Sequence, residues 1–286
     1  MKDFSIKHLE NFSGIKAHTI RVWEQRFGIL QPNRSKSNIR HYSLNDVKLL
    51  LNTALLVKNG FKISELAGKD HHSIATKIRQ LTADKARREK VVSQLIICMY
   101  SHDIEQFDDI LDSCFVTWGV DITLQELILP FLEKVKLLSY HDSSCEAHFA
   151  ITAIRRKIIL GLERVHSNIK SNKSALLFLA EGEHYDLMLL FISYILKKNG
   201  IKVWYLGTNI SKDNLGLILS LKKPDYLFTY IPHKQKFKEH AVIPYINKYL
   251  TETNFVVVSC EQKSAKLEID PHVSFIHYND VEIALK

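Results

Sequence analysis

The chain has 286 residues, 46% of them apolar, with only 10 Gly and 6 Pro, which excludes a low-complexity or disordered polymer and suggests two or three packed domains. No unbroken apolar run reaches the ~18 residues of a membrane span, and MKDFSIKHLENF is not a secretory leader, so a cytoplasmic protein with no membrane partner is expected. The net charge of +8 is uneven: residues 1–72 hold 12 Lys and Arg against 6 Asp and Glu, and the other 214 residues share a surplus of only 2.

Ser5 can cap a short helix over about residues 5–12, and Ser13-Gly14 makes a turn. A second helix is expected from Lys16 to Phe27. Ile20, Trp23 and Phe27 form one apolar stripe, and His18, Thr19, Arg21, Glu24 and Arg26 lie off it. Two short helices joined by a glycine-containing turn make a helix-turn-helix, whose second helix enters the major groove of double-stranded DNA. In GILQPNRSKSNIRHYS the Gly, Pro, Asn and Ser residues break helices, yet Ile39, His41 and Tyr42 suit a strand. A β-ribbon wing carrying Arg34, Lys36 and Arg40 is expected there. Between Gly14 and Tyr42 six cations (Lys16, Arg21, Arg26, Arg34, Lys36, Arg40) face one acid, Glu24. Such a concentrated basic patch is the footprint of nucleic-acid binding. Ser43 then caps a leucine-rich helix that stops at Asn59-Gly60, and Lys62 to Leu66 start a further short helix.

Residues 4–50 resemble the winged helix-turn-helix of the MerR family of bacterial transcription regulators. That pattern runs through an S/T-G turn, T-x-R-x-[YW]-E-x-R and G-[LI]-L-x-P-x-R to a basic residue and Tyr. Thr19, Arg21, Trp23, Glu24, Arg26, Gly28, Pro32, Arg34, Arg40 and Tyr42 supply it in order. The resemblance implies that Lys16, His18, Thr19 and Arg21 face base edges or phosphates, and that Arg34, Lys36, Arg40 and Tyr42 grip the flanking backbone. Trp23 and Phe27 belong to the core. Arg26 is left open between DNA and a structural ion pair.

Residues 74–167 read as four helices with apolar residues three and four apart, a four-helix bundle broken near Gly119 and Asp121. Such a unit beside a winged helix suits a homodimer on a two-fold operator. The four cysteines, Cys98, Cys114, Cys145 and Cys260, form no CxxC pair and read as buried thiols. His141, Cys145, Glu146 and His148 have zinc-ligating side chains, but a loop and bundle surface explains them better. His71-His72 reads as solvated linker. Over residues 173–286 the apolar runs ALLFLA, KVWYLG, PDYLFTY, NFVVVSC and HVSFIHY alternate with helical segments. This predicts a flavodoxin-like parallel sheet with helices on both faces. The whole chain is thus expected as a multidomain α plus α/β protein with boundaries at 1–72, 74–167 and 173–286. It has no Walker loop, GxGxxG or nucleophile elbow, and no enzyme is expected.

This order of domains resembles the cobalamin-sensing regulators of carotenoid and light-response genes. The resemblance implies a cobalt-ligating His in E-x-H-x-x-G after the first strand. Here Glu183-His184-Tyr185-Asp186-Leu187-Met188 stands there, with Tyr185 at the His position, Met188 at the Gly position and His184 one residue early. That shift turns a side chain by roughly 100° on a helix. The family's Trp and Glu-His over the cofactor become Leu137 and Ala147-His148. Its small residues after the third and fourth strands become Thr229-Tyr230-Ile231 and Ser259-Cys260. No bound cofactor is therefore expected. The degenerate site would comprise Glu183, His184, Tyr185 and His148. The alternative is a working adenosylcobalamin-dependent light sensor with altered axial ligation.

Overall fold

A computed structural model of the chain describes residues 3–138, 144–165, 167, 169, 171–232, 253–260 and 273–285. The chain divides into two compact units, residues 1–137 with 142–153, and residues 138–141 with 154–286. His141, part of the zinc-type cluster, lies outside the described residues, as does the first residue of HVSFIHY.

The first unit opens with α1 (Ile6–Ser13) and α2 (Ala17–Phe27). Ser5 caps α1: its hydroxyl accepts from the His8 amide, and His8 Nδ1 accepts from the Ser5 amide. Gly14, at φ 71°, turns the chain between the helices, a left-handed conformation that favours glycine. Strands β1 (Asn33–Arg34) and β2 (Arg40–His41) pair antiparallel, with Arg34 opposite Arg40. Phe4 and Tyr42 exchange both backbone hydrogen bonds at 2.9 Å, so the N-terminal segment extends this ribbon. Helix α3 (Leu44–Lys58) has a reciprocal cap between Ser43 and Asp46. The short α4 (Ile63–Leu66) follows, and then α5 (His71–Arg79).

Helix α5 starts where a linker was expected, because the Asp70 carboxylate accepts from the Ser73 amide at 2.9 Å. Its Ile74 and Ile78 pack with Leu55, Leu56 and Leu66 in one cluster. The expected boundary near residue 73 thus falls inside a helix that shares the core of the segment before it.

Helices α6 (Asp84–Ser101) and α7 (Ile104–Ile122) come next. Gly119 leaves helical geometry at φ 75°, ψ 177°, the expected break. A π-helical turn (Thr123–Ile128) leads into α8 (Leu129–Lys134). Helix α8 ends earlier than its apolar pattern suggests. Lys136 turns left-handed at φ 63°, and the Leu137 amide reaches back to the Leu132 carbonyl at 2.8 Å. The stretch Ile104–Lys134 passes the length and composition test for a membrane span, with mean hydropathy 1.3, which counting unbroken apolar runs missed. Gly119 kinks it, and Phe107, Leu111, Leu127 and Phe131 are buried in the first unit, with the Phe107 and Phe131 rings edge to face at 5.7 Å. These four side chains belong to the core of the first unit. Helix α9 (Cys145–Arg164) contains the division between the units.

The second unit holds a five-stranded parallel sheet of β3 (Ser174–Ala180), β4 (Lys202–Ile210), β5 (Tyr226–Tyr230), β6 (Asn254–Ser259) and β7 (Val273–His277), in the order β4-β3-β5-β6-β7. Helices α10 (Leu187–Lys198) and α11 (Lys212–Lys222) make the first two crossovers. The chain steps from β3 to β4 in one direction and from β4 to β5 in the other. Right-handed crossovers then put α10 and α11 on opposite faces. The packing agrees: Leu215 and Leu219 of α11 meet the alternate residues Leu176, Phe178 and Ala180 of β3. The β3–β4 register slips twice, after Leu177 and after Phe178. All four cysteines are free. Cys98 and Cys114 are buried, and burial pushes both thiols up to about 11, whereas Cys145 is exposed and Cys260 half-buried. The expectation of four buried thiols holds for two.

Candidate functional site

The basic face of the first unit is organised by one acid. Ile20 and Trp23 bury one side of α2, which leaves His18, Arg21 and Arg26 exposed and Thr19 half-buried. Glu24 points from the same helix toward the ribbon with only 11% of its side chain exposed. Arg40 Nε donates to both Glu24 carboxylate oxygens at 3.1 Å, and the Tyr42 hydroxyl donates to Oε2 at 3.2 Å. An Arg34 guanidinium nitrogen stands 4.0 Å away, while its other end donates to Asn38 Oδ1 at 2.7 Å. Burial first, then the Glu24 charge, pushes the Tyr42 phenol up to about 12.

These contacts separate the expected DNA-contacting residues. Tyr42 is 0% exposed and turns its hydroxyl to Glu24. The phenol is thus buried against Glu24, whereas the resemblance implied a grip on the flanking DNA backbone. Arg40 is half-buried and engaged by the same carboxylate. Arg34 and Lys36 remain exposed on the ribbon. Lys16 is exposed and pairs with Glu10 at 3.2 Å, a surface pair of small energetic weight. Among the described residues Arg26 has no acidic partner, so its guanidinium is available to an external anion. The unmet cations therefore lie on the outer face of α2 and along the ribbon.

In the second unit the strand order reverses at β3, and ligands of such sheets bind beyond the C-terminal strand ends at that point. The loop after β3 carries Glu183, His184 and Tyr185. Asn209, left-handed at φ 56°, fastens it: its Oδ1 accepts from Gly182 N at 2.9 Å and its N–H donates to Glu183 O at 3.0 Å. Asp186 then takes two donors, Arg155 at 2.6 and 2.8 Å and the Tyr205 hydroxyl at 3.2 Å. Burial and the Asp186 charge hold the Tyr205 phenol well above the ordinary tyrosine range, and burial does the same for Tyr185. His184 is exposed, and His148 stands exposed near the start of α9 in the first unit. No sequence signal pointed to the Arg155–Asp186–Tyr205 cluster, since these residues are far apart in the chain and belong to no common motif.

Several side chains at the strand ends are packed inward. Tyr230 is 3% exposed and donates to Leu138 O at 2.8 Å. Ile231 packs with Ala180 and Leu215. The ends of β5 and β6 are stitched by Ile231 N to Val258 O at 2.9 Å and by the Ser259 hydroxyl to Pro232 O at 3.0 Å. Met188, where a glycine would let a ligand approach, is buried. Among the described residues no group of three or more His, Cys, Asp or Glu could hold a metal ion.

Residues 4–69 match the MerR HTH family of regulatory proteins. The chain resembles MerR-type regulators over that segment. It is similar to two proteins of Myxococcus xanthus. One is the HTH-type transcriptional repressor CarH, 22% identical over 79% of this chain and 78% of the relative. The other is the HTH-type transcriptional repressor CarA, 24% identical over 71% and 68%. Among solved structures it shares the fold of the monomethylamine corrinoid protein of Methanosarcina barkeri, with a TM-score of 0.54 and 12% identity over 69% of this chain and 98% of that one.

Proposed function

We propose that the protein is a sequence-specific DNA-binding transcription regulator, a cytoplasmic, nucleoid-associated homodimer and not an enzyme. The observation that carries this is the Glu24 network, which sets a cationic ribbon beside the exposed face of α2. In this reading the ribbon is the wing of a winged helix-turn-helix. Arg21, with His18 and Thr19, reads base edges from α2, while Arg34, Lys36, Arg26 and Lys16 meet phosphates. Arg40 and Tyr42 act through Glu24 as positioning residues. Helices α6–α9 form the four-helix bundle between the two ends, and two copies present two recognition helices to a two-fold operator. Selection of bound duplexes from a random pool should yield an inverted repeat. An Arg21→Ala/Lys36→Ala variant should lose it, and retention of the site by that variant removes the assignment.

We further infer that the α/β domain keeps the fold without the cofactor. The burial of Tyr230, Ile231 and Met188 at the strand ends supports this reading, as does His184 standing one residue from the ligand position that the resemblance implies. Incubation with hydroxocobalamin followed by gel filtration should give protein without corrin absorbance. Stoichiometric co-elution would overturn this reading in favour of a cobalamin-dependent sensor with altered axial ligation.

A further inference from the structure

The first unit contains a cavity of about 300 Å³ that the DNA-binding reading does not use. This is the lower end of the size range of small-molecule sites. It lies between the helix-turn-helix segment, represented by Phe12, Leu51 and Lys58, and the helices that follow, represented by Val92, Pro130 and Lys134. Its floor is apolar: Phe12, Leu51 and Val92 are each buried. An apolar hollow of this kind admits hydrocarbon more readily than isolated water.

The rim is cationic. Lys58, Lys85, Arg88 and Lys134 line it against Glu89 and Glu126. Glu126 is taken by Arg88 at 2.7 Å. Among the described residues no carboxylate pairs with Lys58 or Lys85. The Lys134 ammonium is drawn inward, where it donates to the Phe12 carbonyl at the end of α1. Burial, and secondarily the Lys58 charge, lowers Lys134 to about 8. The two ammonium groups thus repel each other, a repulsion that the Glu89 and Glu133 charges offset in part. A ligand anion placed between them would relieve that repulsion and gain charge-assisted hydrogen bonds.

The wall adds an independent sign. Gln125 and Glu126 come from the π-helical turn, and Pro130 stands two residues beyond its end. Such turns weaken the regular helical ladder and recur at functional sites. We propose that this cavity binds a small amphipathic anion, a medium-chain carboxylate whose head lies between Lys58 and Lys134 and whose apolar body lies against Phe12, Leu51 and Val92.

The test is calorimetric titration of the full chain with decanoate, below its micellar range. One decanoate per chain is expected, with decanol about tenfold weaker because it lacks the charge. Lys58→Glu, an exposed substitution that leaves the core untouched, should weaken decanoate about tenfold and leave decanol unchanged. Ala54→Leu, which fills the hollow, should abolish both, with far-UV circular dichroism confirming the fold. Absence of saturable decanoate binding to the unaltered chain overturns the proposal. So does decanol binding as tightly as decanoate, or decanoate binding unchanged in Lys58→Glu.

Discussion

Arg40 meets Glu24 side-on, its Nε 3.1 Å from each carboxylate oxygen, and this pair ties the ribbon to α2. Glu24 has little solvent to fall back on. Replacing it by Gln keeps the shape and removes the charge that Arg40 and Tyr42 share. Glu24→Gln should cost about 1–3 kcal/mol of stability in urea unfolding. It should also weaken operator binding, although Glu24 touches no nucleotide. Unchanged affinity would show that the ribbon needs no such anchor.

The exposed cations should separate by their salt response. Arg21→Ala should cost about 1–3 kcal/mol at the selected site and relax its sequence preference, with little change at random DNA. Lys36→Ala should weaken all sequences alike and reduce the slope of log affinity against log salt by about 1. Binding isotherms at several salt concentrations distinguish the two patterns.

Lys134 makes stability depend on pH with a definite sign. Its folded pKa, about 8, lies below the unfolded value of 10.5. Between those limits the unfolded chain holds more protons, so this group makes stability rise with pH. Below about pH 8 it is charged in both states and the cost is fully present. Urea midpoints across that window should climb more steeply for the natural chain than for Lys134→Met. Equal slopes would remove Lys134 as the cause.

Asp186 holds Arg155 and Tyr205 together beside the loop after β3. Asp186→Ala should destabilise the second unit by about 1.5–3 kcal/mol, the range for hydrogen bonds to a charged group. It should also lower the Tyr205 phenol toward the ordinary range, since the nearby negative charge is gone. A tyrosinate absorbance titration that does not move would contradict this.

Lys136 adopts φ 63° at the end of α8, where a side chain carries a steric cost that glycine avoids. Lys136→Gly should therefore raise stability by about 1 kcal/mol, read by thermal unfolding. A loss instead would mean that the side chain contributes more than the backbone strain costs.

The sequence spoke most clearly where one residue type answers one local demand. Ser5, Gly14 and Ser43 mark caps and a turn, and each acts as such. Strand and helix alternation gave the parallel sheet because buried strands read as short apolar runs between turn residues. The helix at His71 was hidden because an Asp cap before two histidines looks like linker. The early stop of α8 was hidden because lysine is not a usual left-handed residue. The burial of Tyr42 against Glu24 was hidden because a motif preserves a residue's type without revealing which way it points. Arg155, Asp186 and Tyr205 meet only through the tertiary fold, so no spacing announces them.

Among the described residues strand β4 lies at the edge of its sheet and pairs with β3 alone. Its register slips twice, and its course passes through Gly207 at φ 88° and Asn209 at φ 56°. Bulges and left-handed turns bend an edge and spoil its regular row of donors and acceptors. A second chain would find no long flat rim to extend. The same irregularity that fastens the loop after β3 thus guards this edge of the sheet against strand addition and the aggregation that follows from it.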